Sequence, residues 1–428
     1  MDVQNNIIKD KKISPSLRTN FFWTLFGNII YMGSQWGILV IIAKITKSAM
    51  VGQYTLGLAI TAPIFMLFNL QLRSVQATDA LNKYFFSDYL SLRIITSTIA
   101  FAIVIIVAFI WKNTLTAIYT IILIGFSKVI ESISDVFYGM FQQKERMDLI
   151  AKSMILKGIL TILMLGSFIF ISKQVFWGII ALILTWSYIL IFYDIKNGKL
   201  INNINCKIDK KIDILTIKKL ILLSLPLGIV MMLLSLNTNI PRYFLERKFG
   251  DSVLGIYSAI AYLTIIGNNI ITALGQSISS RLSKYYASKD IRKYLKLLFV
   301  ILSLALILGI LGLLISWFFG KKLLTFLYGR EYADNSIIFT SLMVVAIFQY
   351  IASSLGYGMT AARYFKIQLP LFLFTTICTL FFCRVFIPKY SLYGAVLSQG
   401  ISSIIQMLLS SIVILNAIKK REGNYYSG

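Results

Sequence analysis

The 428-residue chain has no histidine, three cysteines, six prolines and 17 acidic residues. Without histidine there is neither a histidine-based catalytic triad nor a zinc-protease motif, and the usual proton relay near neutral pH is missing. Cys206, Cys378 and Cys383 are too scattered for a disulfide framework or a metal cluster, so no metal site and no cofactor is expected. There is no phosphate-binding glycine loop and no Gly-x-Ser-x-Gly. Only 14% of residues are charged, where soluble domains carry about 25%.

What is abundant is apolar. Hydrophobic residues make up 57% of the chain, and mean hydropathy is +0.78. These residues come in long blocks and not in narrow amphipathic stripes, which excludes a soluble enzyme and a disordered chain. A crossing helix needs about 20 mostly apolar residues. Twelve blocks qualify, so the expected fold is an all-α integral membrane protein of twelve spans. The first six are Phe21–Ala43, Val51–Leu72, Leu92–Trp111, Leu115–Phe141, Ala151–Ser172 and Val175–Tyr193. The second six are Leu220–Pro241, Val253–Ile278, Leu295–Phe319, Ile337–Thr360, Ile367–Ile387 and Leu392–Ala417. The first block lacks a signal-peptide cleavage pattern and is read as a retained span.

The longest polar connection divides the chain six plus six. The expected organisation is a cytoplasmic N-terminus (1–20), a six-helix bundle (21–193), a cytoplasmic linker (194–219), a second bundle (220–417) and a cytoplasmic C-terminus (418–428). Lys and Arg number 42, for a net charge of +25. Such an excess in a soluble domain would point to nucleic acid. Here the cations lie mostly in short loops, 29 on the N-terminal side of the membrane and 12 on the other, with Lys128 inside a span. Arg93 and Lys157 are counted among the loop charges. That bias places both termini in the cytoplasm and excludes nucleic acid as partner.

The halves repeat weakly. Val51-Gly52-Gln53-Tyr54-Thr55 opens span two and Leu254-Gly255-Ile256-Tyr257-Ser258 opens span eight. Lys83-Tyr84-Phe85-Phe86-Ser87 matches Lys284-Tyr285-Tyr286-Ala287-Ser288, and Tyr138-Gly139-Met140 matches Tyr357-Gly358-Met359. Six-span copies enter from the same side. They are parallel repeats, and two pseudo-symmetric bundles around a central lumen are the usual frame for alternating access.

Charges within a span cost about 2.5–3.5 kcal/mol each on insertion scales and normally face an interior. Lys128, Glu131 and Asp135 share one face of span four. Two carboxylates beside one cation would let one titrate near neutrality, as ion coupling requires. The same triad would also serve as a local ion pair that cancels its own charge. Asn28, Tyr31 and Gln35 form a polar stripe on span one, with Asn237, Asn239 and Asn268 on spans seven and eight. Such groups suit sugar hydroxyls and equally act as interhelical glue. Arg18, Lys44, Arg73, Arg242, Arg281 and Arg363 lie near span ends. There they either snorkel to lipid headgroups or, facing inward, bind a phosphate-bearing substrate.

Leu17-Arg18-Thr19-Asn20, Gly27-Asn28, Gln35-Trp36 and the Val51-Gly52-Gln53-Tyr54 start of span two resemble the opening of bacterial Wzx-type O-antigen and polysaccharide flippases. Glu131-Ser132-Ile133-Ser134-Asp135, running through Tyr138-Gly139 to Gln142-Gln143-Lys144-Glu145-Arg146-Met147, is similar as well. These proteins belong to the multidrug and oligosaccharidyl-lipid exporter superfamily. The resemblance implies two bundles around a polar, often cationic lumen. It also implies an undecaprenyl-pyrophosphate-linked oligosaccharide moved to the outer leaflet of the bacterial inner membrane. Lys128, Glu131 and Asp135 would be lumen residues and Arg18 would stand near the cytoplasmic side. Implied partners are that lipid-linked oligosaccharide, membrane lipids, a polysaccharide polymerase and a chain-length regulator. Competing expectations are a related multidrug or metabolite exporter and a membrane polymerase or ligase. The latter would carry a sizeable outward loop, and the largest here, 319–336, is short.

Overall fold

A computed structural model describes residues 16–79, 83–112, 114–202 and 214–426. The tail before Ser16 and the middle of the expected linker (203–213), with Cys206, lie outside the described residues. Among those described there is no β-strand. The elements are α1 (Leu17–Ile45), α2 (Ser48–Asn69), the short α3 (Leu72–Ala77), α4 (Phe86–Trp111), α5 (Leu115–Gln143) and α6 (Met147–Ser172). Then come α7 (Val175–Ile189), a π-helical turn (Leu190–Ile195), α8 (Lys196–Asn202), α9 (Ile214–Ala287) and α10 (Ile291–Leu327). The short α11 (Arg330–Ala333), α12 (Ser336–Ala361) and α13 (Phe365–Tyr426) complete the chain.

Local chemistry sets the ends and breaks. Ser16 Oγ accepts the Thr19 amide at 3.2 Å and caps α1, and Asp290 accepts the Lys293 amide at 3.1 Å and caps α10. Among the described residues ten helices are long and apolar enough to cross a membrane. Two of them are broken. Gly250 (φ +83°) interrupts α9, a conformation that glycine adopts without a Cβ penalty. Ser391 (φ +50°) interrupts α13 three residues after Pro388. The ten helices therefore supply the twelve spans expected, and the chain is a multi-pass membrane protein. α10, at 37 residues, is about 55 Å long at ~1.5 Å per residue and overruns a ~30 Å hydrocarbon core. Its first turns carry exposed Arg292, Lys293 and Lys296. Between its ends, Phe299, Ile307, Leu311, Trp317 and Phe318 are exposed. A surface this apolar needs acyl chains around it.

The described residues fall in two compact units, one drawn from Met1–Thr46 and Ile60–Met232, the other from Lys47–Ala59 and Leu233–Gly428. They depart from the six-plus-six division at two places: the start of α2 belongs to the second unit, and the start of α9 to the first. The linker expected over 194–219 is helical at both ends, through Asn202 and from Ile214.

The second unit explains one repeated motif. A Cβ on Gly52 would strike the Asp251 carbonyl, and one on Gly255 would strike the Ser48 carbonyl and the Gly52 amide. The two Gly-x-Tyr motifs thus abut backbone to backbone, which only glycine permits. Beside them Tyr54 and Tyr257 are buried, and Tyr257 Oη donates to Gln399 Oε1 at 2.6 Å. In the first unit Leu70, Leu72, Tyr89, Leu92, Val136 and Leu220 form an apolar cluster. Two of its members, Leu92 and Val136, adjoin in sequence the charged residues Arg93 and Asp135.

Candidate transport site

α5 positions the charges of the first unit. Its face bearing Lys128, Glu131 and Asp135 does not act as one triad. Lys128 Nζ lies 2.7 Å from Glu131 Oε2, and Tyr31 Oη donates to Glu131 Oε1 at 3.0 Å. The Lys128 ammonium also lies 6.0 Å above the Trp186 ring. Asp135 turns elsewhere: Arg73 Nη1 is 3.4 Å from its Oδ1 and Arg93 Nη2 is 3.3 Å from its Oδ2. Arg93 is 0% exposed, and its Nη1 also donates to the Asn69 side chain and, at 3.1 Å, to the Asn69 carbonyl. Ser132 Oγ donates to the Asn69 side-chain Oδ1 at 2.8 Å. Arg73 Nε donates to Gln142 Oε1 at 3.2 Å, and the guanidinium lies 5.4 Å over the Tyr138 ring.

An adjoining face of α5 holds a second ionic group, fully buried. Lys157 Nζ of α6 donates to Ser134 Oγ at 2.7 Å, Tyr138 Oη at 3.0 Å and Asp194 Oδ2 at 3.2 Å. Ser153 Oγ donates to Asp194 Oδ1 at 2.6 Å and lies 2.7 Å from Tyr138 Oη. Lys157 is 3% and Asp194 0% exposed. Asp194 sits on the π-helical turn, where one extra residue per turn re-aims side chains. Where the helix α6 begins, Arg146 Nε donates to Asp148 Oδ1 at 2.8 Å. That contact, from a group outside the spans, holds the Arg146 guanidinium above its ordinary range.

Two loop charges of the sequence reading are thereby corrected. Arg93 and Lys157 are internal to helices and buried, because Asp135 and Asp194, contributed by other helices, neutralise them. The premise of two carboxylates beside one cation changes too. Glu131, Asp135 and Asp194 stand with Lys128, Arg73, Arg93 and Lys157, and each carboxylate has its own cation.

The second unit differs. Arg242 Nη1 donates to Asn239 Oδ1 at 2.6 Å, while its Nε is buried without a partner. No carboxylate pairs with it among the described residues. Tyr243 is held by a hydrogen bond to the Ala59 carbonyl. Asn239 Nδ2 in turn donates to the Ser235 carbonyl at 2.8 Å, so Asn239 is a built support for the guanidinium.

The other polar residues divide. Asn237 donates to Thr375 Oγ1 at 3.1 Å and accepts from Thr379 Oγ1 at 3.0 Å, tying α9 to α13 as glue. Asn268 Oδ1 and Gln35 Nε2 are buried without partners, and Asn28 is half-buried on α1. Arg18 is exposed and lies over the Phe22 ring, 5.9 Å away. Lys44, Arg281 and Arg363 are exposed at helix ends. Within the first unit the structure brings together Tyr31, Lys128 and Glu131 at one point and Arg73 and Asp135 at another; Arg242 and Asn239 meet in the second unit. Arg93, Asn69, Lys157 and Asp194 were missed by the sequence reading, although Arg93 and Lys157 stand in apolar surroundings (Leu90-Ser91-Leu92-Arg93-Ile94-Ile95 and Ile155-Leu156-Lys157-Gly158-Ile159) that mark membrane depth.

With these features placed, likeness to known proteins becomes informative. The family model described as polysaccharide biosynthesis protein matches residues 17–278. The capsular polysaccharide biosynthesis protein CapF of Staphylococcus aureus is 31% identical over 389 residues, 91% of this chain and 97% of its own. The chain belongs to the polysaccharide biosynthesis protein family. Its resemblance to polysaccharide flippases, which covers most of the chain and is strongest in the first half, is borne out by that membership. Solved structures supply the fold. A multidrug resistance MATE family transporter in an inward-facing conformation matches with TM-score 0.71 at 13% identity, covering 94% of this chain and 98% of that one. A Vibrio cholerae MATE transporter matches at TM-score 0.66 and 13% identity, covering 94% and 96%. This polysaccharide biosynthesis protein therefore has the all-helical fold of a membrane transporter.

Proposed function

We propose that this chain is a flippase. It carries an undecaprenyl-pyrophosphate-linked oligosaccharide from the cytoplasmic to the outer leaflet of the bacterial cytoplasmic membrane by alternating access, with both termini cytoplasmic. The name of the Staphylococcus aureus relative favours a capsular repeat unit as cargo. The observation that carries the reading is Arg242, a half-buried guanidinium whose Nε is enclosed without a partner, with a hydrogen-bonding support and no acidic partner among the described residues. A buried cation without a counter-charge is costly. Guanidinium matches phosphate geometry, so an arriving phosphate removes that cost. A pyrophosphate with its sugars cannot cross hydrocarbon unshielded. No bond is made or broken in this scheme, and transport draws on an ion gradient, with Glu131, paired with Lys128, as the coupling group.

Deletion of the gene followed by lipid extraction tests it. A flippase mutant accumulates the complete, unpolymerised lipid-linked unit on the cytoplasmic side. An incomplete sugar would indicate a glycosyltransferase, and accumulation on the outer side a polymerase or ligase. Transport unchanged in its dependence on ion gradients in Glu131→Gln would remove the coupling step.

A further inference from the structure

The ion pairs of the first unit are unequal. Charge-assisted N–H···O contacts normally span about 2.7–2.9 Å. Lys128–Glu131 at 2.7 Å and Arg146–Asp148 at 2.8 Å meet that standard. Asp135 does not: its two oxygens stand 3.4 and 3.3 Å from Arg73 and Arg93, one contact to each guanidinium and neither bidentate, whereas Lys157–Asp194, at 3.2 Å, is fully enclosed and Lys157 keeps a 2.7 Å bond to Ser134 Oγ. Both arginines are held by other groups, Arg73 by Gln142 and Arg93 by Asn69. Asp135, fixed to α5, bridges a gap slightly too wide for it. The buried Arg93 also keeps an Nε–H with no acceptor. The site is open on one side, since Arg73 is 33% and Asp135 30% exposed.

We infer that Asp135 is a resident stand-in for an oxyanion of the cargo, which displaces it from Arg73 and Arg93 during transport. This deepens the flippase reading and rests on it. A free oxyanion is not tethered to a helix and can settle between the two guanidiniums at full hydrogen-bonding distance. While the site is empty, Asp135 offsets one of the two positive charges of Arg73 and Arg93 and screens their mutual repulsion. When the cargo leaves, Asp135 returns and competes against rebinding, so that capture and release are both possible at one site. The shared chemistry is a delocalised oxyanion. It can come from the pyrophosphate link or from a carboxylate on an acidic sugar, the group Asp135 itself imitates.

The test uses the full-length protein in detergent, with inorganic pyrophosphate and glucuronate as separate probes in titration calorimetry. Asp135→Asn is expected to bind at least one probe tenfold or more tighter than wild type. Asp135→Glu, which keeps the charge, should show no gain. Adding Arg73→Gln to Asp135→Asn should abolish it; Arg73 is chosen because Arg93 is also bound to Asn69. Tighter pyrophosphate binding assigns the site to the lipid link, and tighter glucuronate binding to an acidic sugar. If Asp135→Asn binds both probes no better than wild type, the inference falls.

A measurement on the wild-type chain covers a variant that fails to fold. Labelling of Asp135 by a water-soluble carbodiimide, read by mass spectrometry, should rise severalfold when a saturating probe frees the carboxylate. Unchanged or slower labelling overturns the inference. Lipid extraction judges the flippase reading separately: the gain in Asp135→Asn without lipid accumulation on deletion would sink that reading and leave the exchange of Asp135 for an anion standing.

Discussion

The two units treat buried positive charge in opposite ways. In the first, Lys157 is almost wholly enclosed and meets Asp194, a carboxylate from another helix. In the second, the half-buried Arg242 meets an amide oxygen and no carboxylate among the described residues. A paired charge is part of the framework: its partner arrives with the fold and stays. A charge left without a counter-ion is a vacancy that a ligand can fill, and it costs stability until one does. The graded case lies between them, in the Asp135 site, where a partner is present but held at long range.

The contrast can be broken most severely at Lys157. Lys157→Met leaves Asp194 as an unpaired buried charge and should cost about 3–5 kcal/mol, read as a large fall in thermal midpoint or loss of folded protein. Pairing it with Asp194→Leu should recover most of that loss. If the single variant is as stable as wild type, the pair is no framework element. Next in size is Gly255→Ala, whose methyl meets fixed backbone and should cost about 1–3 kcal/mol as overpacking does, measured by chemical denaturation in detergent.

Arg242→Gln sharpens the difference from the other side. It should leave the thermal midpoint unchanged or raised, while transport falls at least tenfold in a lipid-flipping assay. A strongly destabilised Arg242→Gln would mean that Arg242 is framework after all. The smallest effect belongs to Asp290, half-exposed at the hairpin before α10 and hydrogen-bonded to Lys293. Those bonds hold its carboxyl below the usual carboxylate range. Their contribution is present above the unfolded value near 3.9 and fades as pH falls through the lower folded one. Because the pair with the exposed Lys293 lies at the surface, Asp290→Asn should move the midpoint at neutral pH by no measurable amount.

Much of the framework was legible in the chain. Twelve apolar blocks, the break between spans eleven and twelve and the Gly-x-Tyr motifs all follow from length, proline and glycine. Charge pairing was less so. The triad on α5 shares a face as spacing demands, yet Asp135 is claimed by Arg73 and Arg93, which lie 62 and 42 residues away. Helical periodicity reports who shares a face, and says nothing of what a neighbouring helix presents to it. Arg93 and Lys157 were misplaced because counting cations by distance from a loop treats them as equivalent. What separates them from loop charges is a carboxylate on another helix.

The contact between Gly52 and Gly255 bears on how such proteins can be recombined. Each residue has its neighbour's main chain where a side chain would be, so neither position can change alone. A hybrid joining the front of this chain to the back of a relative should assemble only when the donor also brings a hydrogen at the matching site. That requirement can be read from the donor's sequence before any gene is built.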